Sequence, residues 1–433
     1  MSLLMVGLAV VAFFVNWYMF VPEHTTASGT IQGLGTDVIP KAARLAAYTA
    51  VPLALLFMLL DRLRPQGLWL WAVAFVWGGL VATAIAAPIN TWASSHLSII
   101  GDGDPATSTR GAVFIAPYVE EAAKATIVFW LAILLRNRIV TRLSTIALAG
   151  LAGSGFAFVE NIVYYGRVYR YVATTSGTGV DAQQAMNQLA VMRGGMTFFA
   201  HPLFTIMTGL GLAVALRARS RSVRILAPVS GYLLAALLHM IFNATASSAG
   251  QAGTMLWFIA LSVVGAVAGL VINDLRRERA LVVARLTDYV RAGWLPDTDP
   301  ENFSRVRRRA SALWHAAWTG PATWWATLRL QQSMTDLAYL RDSIHRGLVD
   351  ETGQLRESEL LGDIGRRRPA AIVAATEPVP YPWRRWRGRI RLPWQTRPVT
   401  WPGAGSNSAG DGGLGSSGTG YSPVDPRWGP PRQ

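Results

Sequence analysis

Up to about Ile272 the chain is a series of long apolar runs separated by short polar links, and beyond that point apolar and charged positions mix. Runs near 3–21, 44–61, 68–90, 112–135, 143–165, 195–216, 225–247 and 253–273 each approach the ~20 residues that cross a ~30 Å hydrocarbon core. They predict an all-α fold: a polytopic membrane helical bundle of about eight transmembrane helices, followed by a partly helical, partly disordered tail. The first run lacks the basic flank of a cleavable signal peptide and reads as a retained span.

The tail divides further. Residues 275–293 continue the last helix. Residues 304–348 carry more helical pattern, broken at Gly320-Pro321, with Trp314, Trp318, Trp324 and Trp325 able to form an interfacial face. From about 369 the chain is rich in Pro, Gly, Ser, Arg and Trp, a composition that reads as disordered. The expected domains are 1–273 (membrane domain, with its polar motifs in 112–245), 274–350 (helical cytoplasmic or interfacial region) and 351–433 (largely disordered).

Arginine placement sets the expected orientation. Links with Arg62 and Arg64, with Arg136, Arg138 and Arg142, and with Arg217, Arg219, Arg221 and Arg224 alternate with links poorer in positive charge. The positive-inside rule makes the rich links cytoplasmic, and both termini with them. The formal charge of +15 sits largely in these links and in the tail, around Trp383-Arg-Arg-Trp-Arg-Gly-Arg389. Anionic lipid headgroups are therefore the expected partner of the basic tail, and nucleic acid is not. The absence of cysteine excludes disulfides and thiolate chemistry.

Four spans break their own apolar pattern. The run Ala112–Leu135 holds Glu120, Glu121 and Lys124, although an ionised group at bilayer depth costs roughly 2.5–3.5 kcal/mol. Lys124 falls one turn from both carboxylates, so one ion pair can form and one carboxylate is left over. Glu160 and Asn161 interrupt 143–165, His201 lies near the start of the next run, and His239 and Asn243 share a helix face at i and i+4. Counted from the expected outer ends, Glu120, Glu160, His201, His239 and Asn243 all lie roughly 8–14 Å deep. A shared depth suggests a single chamber rather than scattered structural contacts.

Carboxylate, imidazole and amide around one buried space suffice for amide hydrolysis. A glutamate in a low-dielectric site is a competent base toward water, and imidazole or Asn243 can donate to an oxyanion. Two histidines and a glutamate, here His201, His239 and Glu160, also match the ligands of a catalytic divalent metal such as zinc. The residues leave both uses open.

The motifs carry a resemblance. Glu-Glu-x-x-Lys at 120–124, Phe-x-x-x-Glu-Asn at 156–161, His201 with Phe204-Thr205 and Gly209, and His239-x-x-Phe-Asn243 together resemble the PrsW family of intramembrane proteases. Their layout is similar to that of the wider CAAX-processing and bacteriocin-processing membrane proteases, except that Glu160 stands where that group has histidine. The resemblance implies a bacterial plasma-membrane peptidase that cuts membrane-anchored proteins, for example an anti-sigma factor. It assigns base or ligand roles to Glu120 and Glu121, completes the site with Glu160, His201 and His239, and gives Asn243 an orienting or donating role. Lys124, Phe156 and Asn161 support them.

Other motifs point elsewhere. Gly101-Asp-Gly-Asp104 resembles an aspartyl-protease string but reads better as an Asp-Gly turn before Pro105. Ser154, between Gly153 and Gly155, reads better as a small packing residue than as a nucleophile. No His-Glu-x-x-His zinc motif is present. The alternatives from other classes are a proton or cation relay, which calls for polar groups through the full membrane thickness, and a non-catalytic scaffold.

Overall fold

The computed structural model describes residues 2–374 apart from 27–28, 62, 64–66, 98–110, 136–140, 176–178, 180, 247–250, 348 and 350. The Gly101–Asp104 string, the Arg62, Arg64, Arg136 and Arg138 side chains, and the Trp383–Arg389 block lie outside the described residues. The chain divides into two compact units, Met1–Asp61 with Pro65–Ile272, and Arg62–Arg64 with Asn273–Gln433.

The first unit is helical apart from a pair of three-residue antiparallel strands, β1 (His24–Thr26) and β2 (Gly29–Ile31). Its helices are α1 (Ser2–Phe20), α2 (Ile39–Leu60), α3 (Leu68–Val76), α4 (Thr83–Leu97), α5 (Ala116–Leu134), α6 (Arg142–Thr174), α7 (Ala182–Ala190), α8 (Ala200–Ala215), α9 (Arg221–Ala246) and the first part of α10 (Gln251–Arg291). Among the described residues, seven helical segments are long and apolar enough to cross a membrane. The remaining expected span is α5, whose 19 residues include Glu120, Glu121 and Lys124.

Two π-helical turns interrupt the regular pattern. One, Trp77–Ala82, joins α3 to α4, and the other, Val191–Met196, follows α7. Each contains a Gly-Gly pair, Gly78-Gly79 and Gly194-Gly195.

Helix α6 is the centre of this unit. It packs against α2, α3, α5, α7, α8 and the first π turn, and its side chains from Leu143 to Phe156 are buried. Small residues permit this. A Cβ on Gly153 would come within 2.7 Å of the His201 carbonyl oxygen and of Pro202 Cα, and one on Gly155 would collide with the Phe75 carbonyl. The start of α8, which carries His201, can therefore approach α6 closely. The Ser154 hydroxyl between the two glycines donates back to Gly150 O at 2.7 Å, in keeping with a packing role.

The stretch 166–194 differs from the open link expected there. Helix α6 runs on to Thr174, and α7 and the second π turn occupy most of the remainder. The apolar pattern fades after Tyr165, but helical hydrogen bonding does not depend on it.

Among the described residues, the second unit contains the later part of α10 with α11 (Asp299–Ser304), α12 (Val306–Thr319), α13 (Pro321–His345) and α14 (Glu351–Arg367). Its core includes Leu286, Phe303, Leu330, Leu337 and Ile364. Gly320, at φ 147°, ends α12, and Pro321 opens α13 at a position where its missing N–H is no loss. The buried Arg309 donates to Leu63 O at 3.0 Å, Thr335 Oγ1 at 3.1 Å and Gln331 Oε1 at 3.2 Å. The expected boundary at 350 needs correction, because α14 follows it and buries Leu361 and Ile364 in this core. Polar and charged residues dominate α14 in sequence and hide those few anchors.

Candidate active site

Helix α5 supplies the charged centre. Glu121 and Lys124 are fully buried and Glu120 nearly so. Lys124 Nζ donates to Glu121 Oε1 at 2.6 Å and lies 3.8 Å from Glu120 Oε2, so one ammonium serves two carboxylates. It also donates to His201 Nδ1 at 3.2 Å and sits 4.1 Å above the Phe156 ring. Phe156, expected as a supporting residue, is thus a cation–π platform for Lys124.

Each imidazole is held by a carboxylate. His239 Nδ1 lies 3.0 Å from Glu121 Oε1, and His201 Nε2 lies 2.7 Å from Glu160 Oε2. A carboxylate accepts, so in this arrangement His239 carries its proton on Nδ1 and His201 on Nε2. The opposite nitrogens, His239 Nε2 and His201 Nδ1, keep their lone pairs. The two rings meet edge to face with centroids 5.1 Å apart, and Phe204 stacks on His239 at 4.8 Å.

The three glutamates differ in what they have left to offer. Glu121 is saturated: Oε1 takes Lys124 and His239, and the Thr205 hydroxyl lies 3.1 Å from Oε2. That hydroxyl is also 3.1 Å from His201 O and has one proton to share. Glu160 Oε2 receives both His201 and, at 2.5 Å, Arg193 Nη2. Glu120 Oε1 accepts from Asn90 Nδ2 at 3.2 Å, whereas Glu120 Oε2 is buried with no hydrogen-bond partner among the described residues. This open oxygen lies 3.9 Å from His239 Nε2.

Of the residues expected from sequence, Glu120, Glu121, Lys124, Phe156, Glu160, His201 and His239 form one contiguous network. Asn161 joins at its edge, with Oδ1 accepting from Arg193 Nε at 3.1 Å. Asn243 takes a different place: its amide donates to Ala112 O at 2.9 Å, just before α5. Asn90 and Arg193 were not anticipated. Arg193 sits on the second π turn with its guanidinium 3.9 Å from the Tyr164 ring centroid.

The residues whose donor atoms converge as a metal set are Glu120, His201 and His239, all within 4.8 Å of one another. The expected set had Glu160 in place of Glu120. Glu160 instead hydrogen-bonds His201 from behind, as a carboxylate does that orients a ligating imidazole. The donors fit a divalent ion in kind, with one carboxylate oxygen without a hydrogen bond and two imidazoles each fixed by a carboxylate on the other nitrogen. A cavity of about 20 Å³ adjoins His201, lined in part by Ser154, Asn161, Arg193 and Phe242. That is room for one water.

This is a polytopic helical membrane protein with a buried Glu/His/Lys centre assembled from consecutive apolar helices. Residues 66–270 match the family model described as PrsW family intramembrane metalloprotease, and this part of the chain is similar to that family. The matched segment holds every residue of the network. No curated protein and no solved structure matches the chain.

Proposed function

We propose that the chain is a peptidase that hydrolyses a membrane-anchored protein substrate at this buried centre, with Glu120 as the group that acts on water. The carrying observation is that Glu120 Oε2 alone among the carboxylate oxygens described above faces the cluster buried and without a hydrogen-bond donor. A water between it and His239 Nε2 would give its proton to Glu120 as it attacks the scissile carbonyl, and the protonated carboxyl could then hand that proton to the departing amine. Asn90 fixes the other oxygen of Glu120. Lys124 offsets the negative charge of α5, and Glu121 and Glu160 hold the imidazoles in the tautomers that leave lone pairs inward.

Glu120, His201 and His239 are the residues that would hold a divalent ion, whose Lewis acidity would polarise the carbonyl and acidify water. His201 Nδ1 accepts from Lys124 in this structure, so His201 would have to give up that hydrogen bond to serve as a ligand through this nitrogen.

The network supports hydrolysis over a proton or cation relay. Its ionisable groups close on one another rather than forming a file: Glu120, Glu121, Lys124, His201 and His239 are buried, and Glu160 and Arg193 are partly buried. Both termini on the cytoplasmic side, and a signalling substrate such as an anti-sigma factor, belong to the same reading. Co-expression with a tagged single-span substrate tests it: wild type yields a cut product and Glu120→Gln does not. Ion flux in liposomes with no cleavage would favour the relay.

A further inference from the structure

We propose that the α12–α13 hairpin docks on an anionic lipid bilayer surface through the tryptophan-rich end around Gly320. From Asn302 to Thr335 the chain contains five arginines and four tryptophans and no Asp or Glu; Arg305 and Arg308 face Glu301 and Arg309 is buried, which leaves Arg307 and Arg329 as the cations of the exposed faces. Only Gly320 separates the two helices, so Trp314 and Trp318 fall within two turns of the bend on one arm, and Trp324 and Trp325 within five residues of it on the other.

Each arm gives one face to its own core and leaves the other exposed. On α12, Arg309, Ala312 and Ala316 are buried, while Arg307, Trp314 and Trp318, at i, i+7 and i+11, form an exposed stripe. On α13, Leu330 and Met334 enter the core, while Trp325 and Arg329 stay outside with the guanidinium 5.3 Å from the indole centroid. Trp314 and Trp325 are 58% and 52% exposed, although tryptophan normally loses most of its surface to a partner.

Indole beside guanidinium, without carboxylates, is the chemistry of the headgroup region. The ring sits at the water–lipid boundary and the cation meets lipid phosphate. A second copy is a poorer occupant, because a self-complementary contact of this face would set arginine against arginine. The proposal concerns placement of the hairpin and is independent of the proteolytic reading.

The chain has no native cysteine, so one introduced thiol can be labelled alone. Ala322, exposed beside the bend, takes an environment-sensitive fluorophore as Ala322→Cys, and exposed Glu359 on α14 serves as reference. The full-length protein is compared in detergent, in phosphatidylcholine nanodiscs and in nanodiscs containing phosphatidylglycerol. We expect iodide quenching at position 322 to fall at least about threefold in the anionic discs, and less in the neutral ones. Position 359 should change less than position 322. Adding Trp318→Ser and Trp325→Ser should restore quenching. Unchanged quenching in anionic discs, or equal protection with both lipids, overturns the proposal. So does protection in detergent that rises with protein concentration, which would identify a second copy as the occupant.

Discussion

Glu121 and His239, 118 residues apart in sequence, meet at 3.0 Å between Oε1 and Nδ1. The contact fixes which side of the imidazole keeps a lone pair, and it turns Nε2 toward Glu120. Glu160 does the same for His201 from the opposite ring nitrogen, at 2.7 Å. Two carboxylates thus hold the imidazoles, and the third, Glu120, keeps one buried oxygen without a hydrogen bond among the described residues.

That division predicts different outcomes for neighbouring glutamates. Glu120→Gln keeps the shape and the Asn90 contact but loses the proton acceptor, so cleavage should fall by about 10²–10⁴ with unfolding temperature nearly unchanged. Glu121→Gln takes the charge from the partner 2.6 Å from buried Lys124 and leaves it only the Glu120 carboxylate at 3.8 Å. Breaking a buried pair costs about 3–5 kcal/mol, so this variant should lose stability as well as activity. Thermal unfolding in detergent beside a cleavage assay separates the two, and equal melting of both variants would contradict the assignment.

Arg193 should behave as a positioning residue coupled to Glu160. Its guanidinium bonds Glu160 and Asn161 and packs on Tyr164, and none of these contacts points at the open oxygen of Glu120. Arg193→Gln is expected to reduce cleavage about 10- to 100-fold, in the range of lost orienting contacts. Combined with Glu160→Gln the losses should be well short of additive, because both substitutions undo one interaction. Additive losses would mean that Arg193 acts elsewhere.

The sequence exposed the centre because ionisable side chains in apolar helices are conspicuous: Glu120, Glu121, Lys124, Glu160, His201 and His239 all break hydrophobic runs, and their common depth implied that they meet. It gave no pairing, because which carboxylate faces which imidazole depends on helix rotation and on close approaches such as Gly153 against Pro202. Asn90 passed unnoticed as an ordinary polar residue near a span end. Arg193 carries no signal of its own in the sequence, since a π turn has no hydrophobic period, and the Gly-Gly pair beside it is the one available hint. In the second unit, α14 is short on apolar residues in a polar stretch, and only Leu360, Leu361 and Ile364 mark the face it turns to the core.

Metal content offers a separate check on the donors. If a divalent ion is held by Glu120, His201 and His239, then His201→Ala and His239→Ala should each abolish stoichiometric metal in purified protein measured by elemental analysis. Glu160→Gln should retain metal with affinity weakened about 10- to 100-fold, since it only orients His201. Equal metal in wild type and His201→Ala would remove this triad as the binding site.

The position of the cut follows from where the centre lies along the spans. Glu120 stands near the start of α5 and His201 near the start of α8, while Glu160 and His239 lie in the later parts of α6 and α9. Consecutive helices running in alternate directions put all four toward one side of the membrane, which the arginine pattern assigns as the outer side. The segment leading to His201 is the second π turn with Arg193, Gly194 and Gly195, followed by Thr197 and Phe198 at the small cavity. A peptide bond inside a helix is shielded by its own hydrogen bonds, and unwinding is easiest near the interface, where water satisfies the freed backbone groups. Cleavage should therefore fall near the outer end of the substrate span and be favoured by glycine or another helix-breaking residue there. Mass spectrometry of the product termini reads the position directly, and a cut consistently at the cytoplasmic end would overturn the assigned orientation.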